Sequence, residues 1–274
     1  MNDRRLTTLT VGAPSGGCWG RFFRLTSINY LCQNDRSVRR TLTAVLLLLA
    51  LPLLAQRPPR KDYLVTINTT FGPMHFVLYD QTPQHKTNFL KLAQAHFYDS
   101  LLFHRIIAGF MIQGGDPASK RAGPGARLGE GDVGYTVPAE FVPALIHRKG
   151  ALAAARDNNP QKASSGCQFY IVQGKPLNDS DMVAAMQRSR AASQPTYTAE
   201  QRKVYATEGG TPHLDQNYTT FGQLIGGMDT LDKIAAQPKD EYDRPRTDLR
   251  MTVAVEKMRK KKITRLYGYT FPTN

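Results

Sequence analysis

The stretch 103–116, Phe-His-Arg-Ile-Ile-Ala-Gly-Phe-Met-Ile-Gln-Gly-Gly-Asp, constrains this chain more than any other. It sets Arg105, the apolar pair Phe110 and Met111, and Gln113 within nine positions, then closes on Gly114 and Gly115. A guanidinium does not deprotonate in a protein, so Arg105 is neither acid nor base. It can aim several fixed donors at an amide while Phe110 and Met111 wall an apolar slot. That combination suits a reaction with no covalent step, and rotation about the peptide bond before proline is the leading candidate. Taken singly, such an arginine is a surface ion-pair partner and the apolar pair is ordinary core. Only the conjunction carries the reading.

The surrounding pattern is β-rich. Residues 63–68 and 74–79 predict two strands joined around Phe71-Gly72-Pro73, the second alternating Met74, Phe76 and Leu78 with His75, Val77 and Tyr79. Thr82-Pro83 opens a helix, with Thr82 as N-cap and Pro83 at the first helical position. Short strand-like runs follow at 102–107, 110–113, 151–155, 168–173, 219–225 and 251–255, several separated by glycine-rich loops. Many short strands with few helices predict a closed barrel or a sandwich. Residues 175–212 break this pattern as a helical insertion. Helical spacing runs over 180–192, and Thr198 with Gln201 forms a capping box before a second helix that Gly209-Gly210 ends. These two helices are expected to pack on the β domain rather than carry chemistry.

Three segments together resemble the signatures of the cyclophilins, in that family's order: 103–116, then Ser165-Gly166-Cys167-Gln168-Phe169-Tyr170-Ile171-Val172, then Leu214-Asp215 through Phe221-Gly222. The resemblance spans roughly residues 63–256. It implies a mainly β fold, a closed eight-stranded antiparallel barrel capped by two helices, here with the helical insertion. It also implies peptidyl-prolyl cis–trans isomerisation, with proline-containing polypeptides as clients and no cofactor. By position, Arg105 matches the catalytic arginine, and Phe110, Met111 and Gln113 match the proline pocket and its neighbours. Ala155 and Gln168 match the peptide groove, Tyr170 stands where a pocket phenylalanine is usual, Leu214 matches a pocket leucine, and Tyr218 takes the place of a frequent pocket histidine.

Other departures concern substrate preference. Ala108 replaces a common proline, Arg156 a common asparagine, and His213 stands where many members have tryptophan. The His213 change predicts weak binding of the cyclic-peptide inhibitor of the family, so tight inhibition of the purified domain by cyclosporin would refute it. A rival of another class is a holdase that captures proline-containing segments with little turnover.

The formal charge of +14 is unevenly spread. Residues 1–55 hold seven arginines against Asp3 and Asp35, leaving +9 for the remainder. Within that leader, basic residues precede a short apolar run and Ala55 offers a small residue for cleavage. The stretch 36–55 therefore reads as a secretory signal peptide and predicts an exported, periplasmic protein. The run is shorter than the roughly twenty apolar residues of a membrane span, which makes an uncleaved membrane tether the alternative. Residues 1–35 are long for such a leader, so the true start is expected further along. Residues 56–62 read as a proline-rich linker, 63–257 as the barrel domain, and 258–274 as a basic and aromatic tail.

Lys257, Arg259, Lys260, Lys261, Lys262 and Arg265 invite a nucleic-acid reading. Export argues against it, leaving a solvated face or peripheral contact with anionic envelope lipids. Six histidines show no metal-ligand spacing, so no metal is expected. Cys167 stands alone after the leader, which excludes a disulfide framework there and makes it a small buried side chain. A monomer is the working expectation.

Overall fold

The computed structural model describes residues 59–192 and 194–272. The leader, the signal peptide at 36–55 and the first part of the linker lie outside them. Among the described residues ten strands form: β1 (Lys61–Thr69), β2 (Gly72–Leu78), β3 (Phe103–Ile107), β4 (Met111–Gly114), β5 (Thr136–Val137), β6 (Ala151–Ala154), β7 (Ser164–Ser165), β8 (Phe169–Val172), β9 (Thr220–Gly226) and β10 (Thr252–Arg259). Eight make one antiparallel sheet in the order β10-β1-β2-β9-β6-β8-β4-β3, and β5 pairs separately with β7. β1 begins inside the expected linker and β10 runs two residues past the expected domain boundary.

The expected closed barrel is not what forms. The sheet curls into an open half-barrel whose end strands, β3 and β10, share no ladder. Only single backbone bonds cross the gap: Ser100 N–H to Met251 O (2.8 Å), Met251 N–H to Leu101 O (2.9 Å) and Phe103 N–H to Leu249 O (2.9 Å). β3 starts at Phe103 and β10 at Thr252, and of the residues bonded across the seam Ser100, Leu101, Leu249 and Met251 precede the strands while Phe103 opens β3.

Alternation sorts each strand onto two faces. Ile112, Leu152, Ala154, Phe169 and Ile171 point inward to the main core, where Phe169 meets Phe89, Tyr98 and Phe103 edge to face. Their neighbours Met111, Ala151, Ala153, Tyr170 and Val172 form a second cluster on the outer face.

Five α-helices appear among the described residues, not two caps and an insertion pair: α1 (Pro83–Gln94), α2 (Asp179–Arg188), α3 (Ala199–Thr207), α4 (Met228–Ala235) and α5 (Lys260–Tyr267). α1 does start at Pro83, but Thr82 makes no side-chain cap. Glu140, 55 residues away from His85, accepts the free N–H groups of Gln84 (3.1 Å) and His85 (3.0 Å) instead, a favourable place for a carboxylate. α2 ends at Arg188, four residues short of expectation, because only Met182 and Ala185 give it buried anchors. α3 carries the expected capping box, with Gln201 N–H donating to Thr198 Oγ1 and Thr198 N–H to Gln201 Oε1. α5 forms within the expected tail. Its Ile263, with Tyr267, Tyr269 and Phe271, packs on Leu64, Val77 and Met258. That cover is why Val77 is buried on a face where alternation predicted exposure.

Candidate active site

Strand register builds the site. Arg105 pairs with Gln113, Gln113 with Tyr170, and Tyr170 with Ala153, so one row runs across β3, β4, β8 and β6. The parallel row Ile107–Met111–Val172 lies beside it. Since residues two apart share a face, Arg105 and Gln113 come out over the apolar floor made by Met111 and Tyr170. The β3–β4 turn adds Phe110, and the short 3₁₀ turn Pro212–Leu214 adds Leu214.

Eight of the nine residues singled out in the sequence line one cavity of about 150 Å³: Arg105, Phe110, Met111, Gln113, Ala155, Tyr170, Leu214 and Tyr218, joined by Arg156. Gln168 is the exception. It is buried, and its Nε2 donates to the carbonyls of Gly129 and Gly131 (2.8 Å each), while its Oε1 accepts from Gln113 Nε2 (3.1 Å). Gln168 therefore orients Gln113 and ties the 129–131 loop to the sheet. It is not a wall of the cavity.

Two residues escaped the sequence reading of the site. Asp243 lies 3.5 Å from Arg105 Nε through Oδ2, and its carbonyl accepts the Ile106 N–H. It sits in a loop far along the chain with no pattern to betray it. Arg156, noted only as a departure, places its guanidinium 4.6 Å over the Tyr218 ring and donates to Asn217 O and Oδ1. The cavity is thus apolar at its floor and flanked by two guanidiniums.

A Ser–His–Glu alignment also exists elsewhere, with His85 between Glu140 (2.7 Å) and Ser164 (2.9 Å). Ser164 is 1% exposed, so no substrate reaches it. The trio is a structural tie between α1 and the β5–β7 pair.

Burial tunes two histidines near the site. His104, 3% exposed and without a hydrogen-bond partner among the described residues, has its pKa lowered from 6.5 to about 4, chiefly by burial. His213 stacks on Phe110, with centroids 5.7 Å apart, and burial followed by the Arg188 charge lowers it to about 4. Between these values and 6.5 the unfolded chain binds protons that the folded state refuses, so stability rises with pH there. It is expected to be full above about pH 6.5 and to fall towards pH 4, with His104 contributing roughly 3 kcal/mol. Urea midpoints for wild type and His104→Leu at pH 7 and pH 4.5 check this. The wild-type loss should exceed that of the variant, and parallel losses would contradict it.

Residues 64–256 match the family model of the cyclophilin-type peptidyl-prolyl cis–trans isomerases/CLD. The chain is 37% identical over 186 residues to a candidate peptidyl-prolyl cis–trans isomerase of Staphylococcus haemolyticus, covering 68% of this chain and 86% of that one. It is 39% identical over 188 residues to a candidate bifunctional phosphatase/peptidyl-prolyl cis–trans isomerase of Streptococcus pyogenes serotype M6. There it covers 68% of this chain but only 37% of the longer protein. A crystal structure of a cyclophilin-type isomerase of Cryptosporidium parvum superposes with a TM-score of 0.51 at 25% identity, over 72% of this chain and 98% of that chain. Another from the same organism, determined in the presence of the dipeptide Ala-Pro, gives 0.50 at 26% identity.

Proposed function

The chain belongs to the cyclophilin-type peptidyl-prolyl cis–trans isomerases, and on that premise we propose that it is exported and turns Xaa-Pro bonds in folding envelope or secreted proteins, with Arg105 as its catalytic group. One observation carries the site reading: the Arg105 guanidinium borders the cavity walled by Phe110, Met111 and Leu214.

A planar amide resists rotation with a barrier of about 18–20 kcal/mol because the nitrogen lone pair is delocalised. Proline leaves interconversion slow, on the order of 10–100 s. In the twisted state the lone pair returns to nitrogen, which becomes a hydrogen-bond acceptor. A donor fixed beside that nitrogen stabilises the twisted form more than either planar form. Phe110, Met111, Tyr170 and Leu214 grip the pyrrolidine ring, while Arg105 supplies the donor and stays charged at any working pH. Gln113, held by Gln168 through its amide nitrogen, turns its carbonyl oxygen towards a client N–H. A gain of about 10⁵ in rate needs roughly 7 kcal/mol of such differential binding.

A protease-coupled assay on a short Xaa-Pro peptide tests the chemistry. Turnover that collapses in Arg105→Ala supports the proposal, and peptide binding without turnover would favour the holdase instead. Export rests on the 36–55 pattern alone. Among the described residues no helix is long and apolar enough to cross a membrane. Fractionation with N-terminal sequencing is expected to find a soluble periplasmic form starting just after Ala55. A form that stays with membranes and keeps the leader would point to a tether, and contact with anionic lipids is then read from vesicle binding at low and high salt.

A further inference from the structure

The insertion 175–212 is wired to the floor of the pocket. Tyr170 is buried in the outer-face cluster, and its hydroxyl lies 2.9 Å from His147 Nε2. His147, fully buried, lies 2.7 Å from Asp215 Oδ1 through Nδ1. The other carboxylate oxygen, Oδ2, accepts from the hydroxyls of Tyr197 (2.8 Å) and Tyr205 (2.5 Å). Tyr197 stands between α2 and α3, and Tyr205 is on α3. A carboxylate only accepts, so the His147 ring donates to Asp215 through Nδ1, while Nε2 lies nearer the Tyr170 hydroxyl (2.9 Å) than Thr220 Oγ1 (3.3 Å). Burial holds the Tyr170 and Tyr205 phenols well above the usual range, so both remain donors.

Two further contacts bring the insertion to the same place. α2 packs on the 3₁₀ turn Pro212–Leu214, which carries the cavity wall Leu214 and the Phe110 partner His213. Ile146, the neighbour of His147, is buried in one apolar cluster with Met182, Tyr197 and Tyr205. A phenylalanine at position 170 would need none of the polar partners, since its ring alone could floor the pocket. The hydroxyl adds a fixed direction: it ties the ring, through two buried links, to helices outside the barrel.

We propose that the insertion sets the shape of the proline pocket through this buried chain, with Tyr205, Tyr197, Asp215 and His147 as positioning residues for Tyr170. The inference rests on the pocket reading given above. It assigns the insertion a role in substrate fit rather than mere attachment, because buried hydrogen-bonded chains transmit the loss of one member to the next. The rotamer of the Tyr170 ring, and with it the depth of the slot for the pyrrolidine ring, then depends on α3 being in place.

A double-mutant cycle in the prolyl-peptide assay tests this, using Tyr205→Phe, Tyr170→Phe and the pair, with urea unfolding of each. Tyr205→Phe is expected to lower kcat/KM about three- to tenfold, carried by KM, while the same change made on top of Tyr170→Phe alters it less than about twofold. Equal losses in both backgrounds, or a stability change with no change in KM, would overturn the proposal. Tyr197→Phe removes a single phenol from the same carboxylate and has the same expectation, which keeps the test alive should Tyr205→Phe fold poorly. Arg105→Ala in the same assay separates the two readings. Retained turnover there sinks the pocket reading and this inference with it, whereas lost turnover with no Tyr205–Tyr170 coupling sinks the inference alone.

Discussion

Arg105→Ala is expected to lower kcat/KM by about 10²–10³-fold, the usual cost of removing one preorganised donor from a transition state, while the protein melts as wild type does. The two halves of that expectation come from the same geometry. The Arg105 side chain is 42% exposed, and its ion pair with Asp243 is long, at 3.5 Å, and half in solvent. Such a pair contributes about 0–1 kcal/mol to stability. Nothing in the barrel core leans on the guanidinium, so its removal leaves the cavity walls where they were. Arg105→Lys keeps the charge but loses the planar fork, and it is expected to recover no more than about tenfold of the loss. The readout is the protease-coupled rate beside a thermal melt. A variant that keeps turnover within threefold of wild type would remove Arg105 from the chemistry, and one that loses activity together with its melting transition would show only that it misfolds.

Arg105, Gln113 and Tyr170 are legible through their places in the resembling segments, whereas their alignment in one row rests on the register of β3, β4 and β8, which strands far apart in the chain set together. The inward set, Ile112, Phe169 and Ile171, follows from strand alternation, which is local. What lay hidden depends on partners distant in the chain. Val77 breaks alternation because α5 arrives from the C-terminus to cover it, and a basic run gives no hint that Ile263 will be buried. Glu140 replaces the Thr82 hydroxyl as the cap of α1, which no local motif records. The openness of the half-barrel turns on where β3 and β10 begin, and strand ends are set by neighbours rather than by their own residues. His147, Tyr197 and Tyr205 are isolated polar or aromatic positions without period or motif, and Asp215, though inside the third resembling segment, carries no sign there of these partners. Their meaning appears only when four backbones converge.

Gly115→Ala is expected to cost roughly 3–5 kcal/mol, a left-handed backbone penalty added to a steric one. Gly115 has φ +96°, which an alanine adopts only with strain, and a Cβ there would sit 2.3 Å from Cys167 O and 3.0 Å from Gln168 Cα. Both atoms are backbone, so neither can swing aside. Relief requires β4 to part from the segment leading into β8, which carries Gln168 and Tyr170. The turn glycine Gly109 isolates the two components. Its φ of +74° is also left-handed, but nothing lies within 4 Å of its missing Cβ. Gly109→Ala should therefore cost only the backbone part, about 1–2 kcal/mol, and Gly109→Asn less, since asparagine tolerates that region. Urea unfolding of the three variants checks the ordering. If Gly115→Ala proved no worse than Gly109→Ala, the close approach of Gly115 to Cys167 would not be a constraint on the site. If it is worse by the expected margin, prolyl turnover should fall with it, because the same displacement withdraws Gln168 from Gln113 and tilts the floor under the client ring.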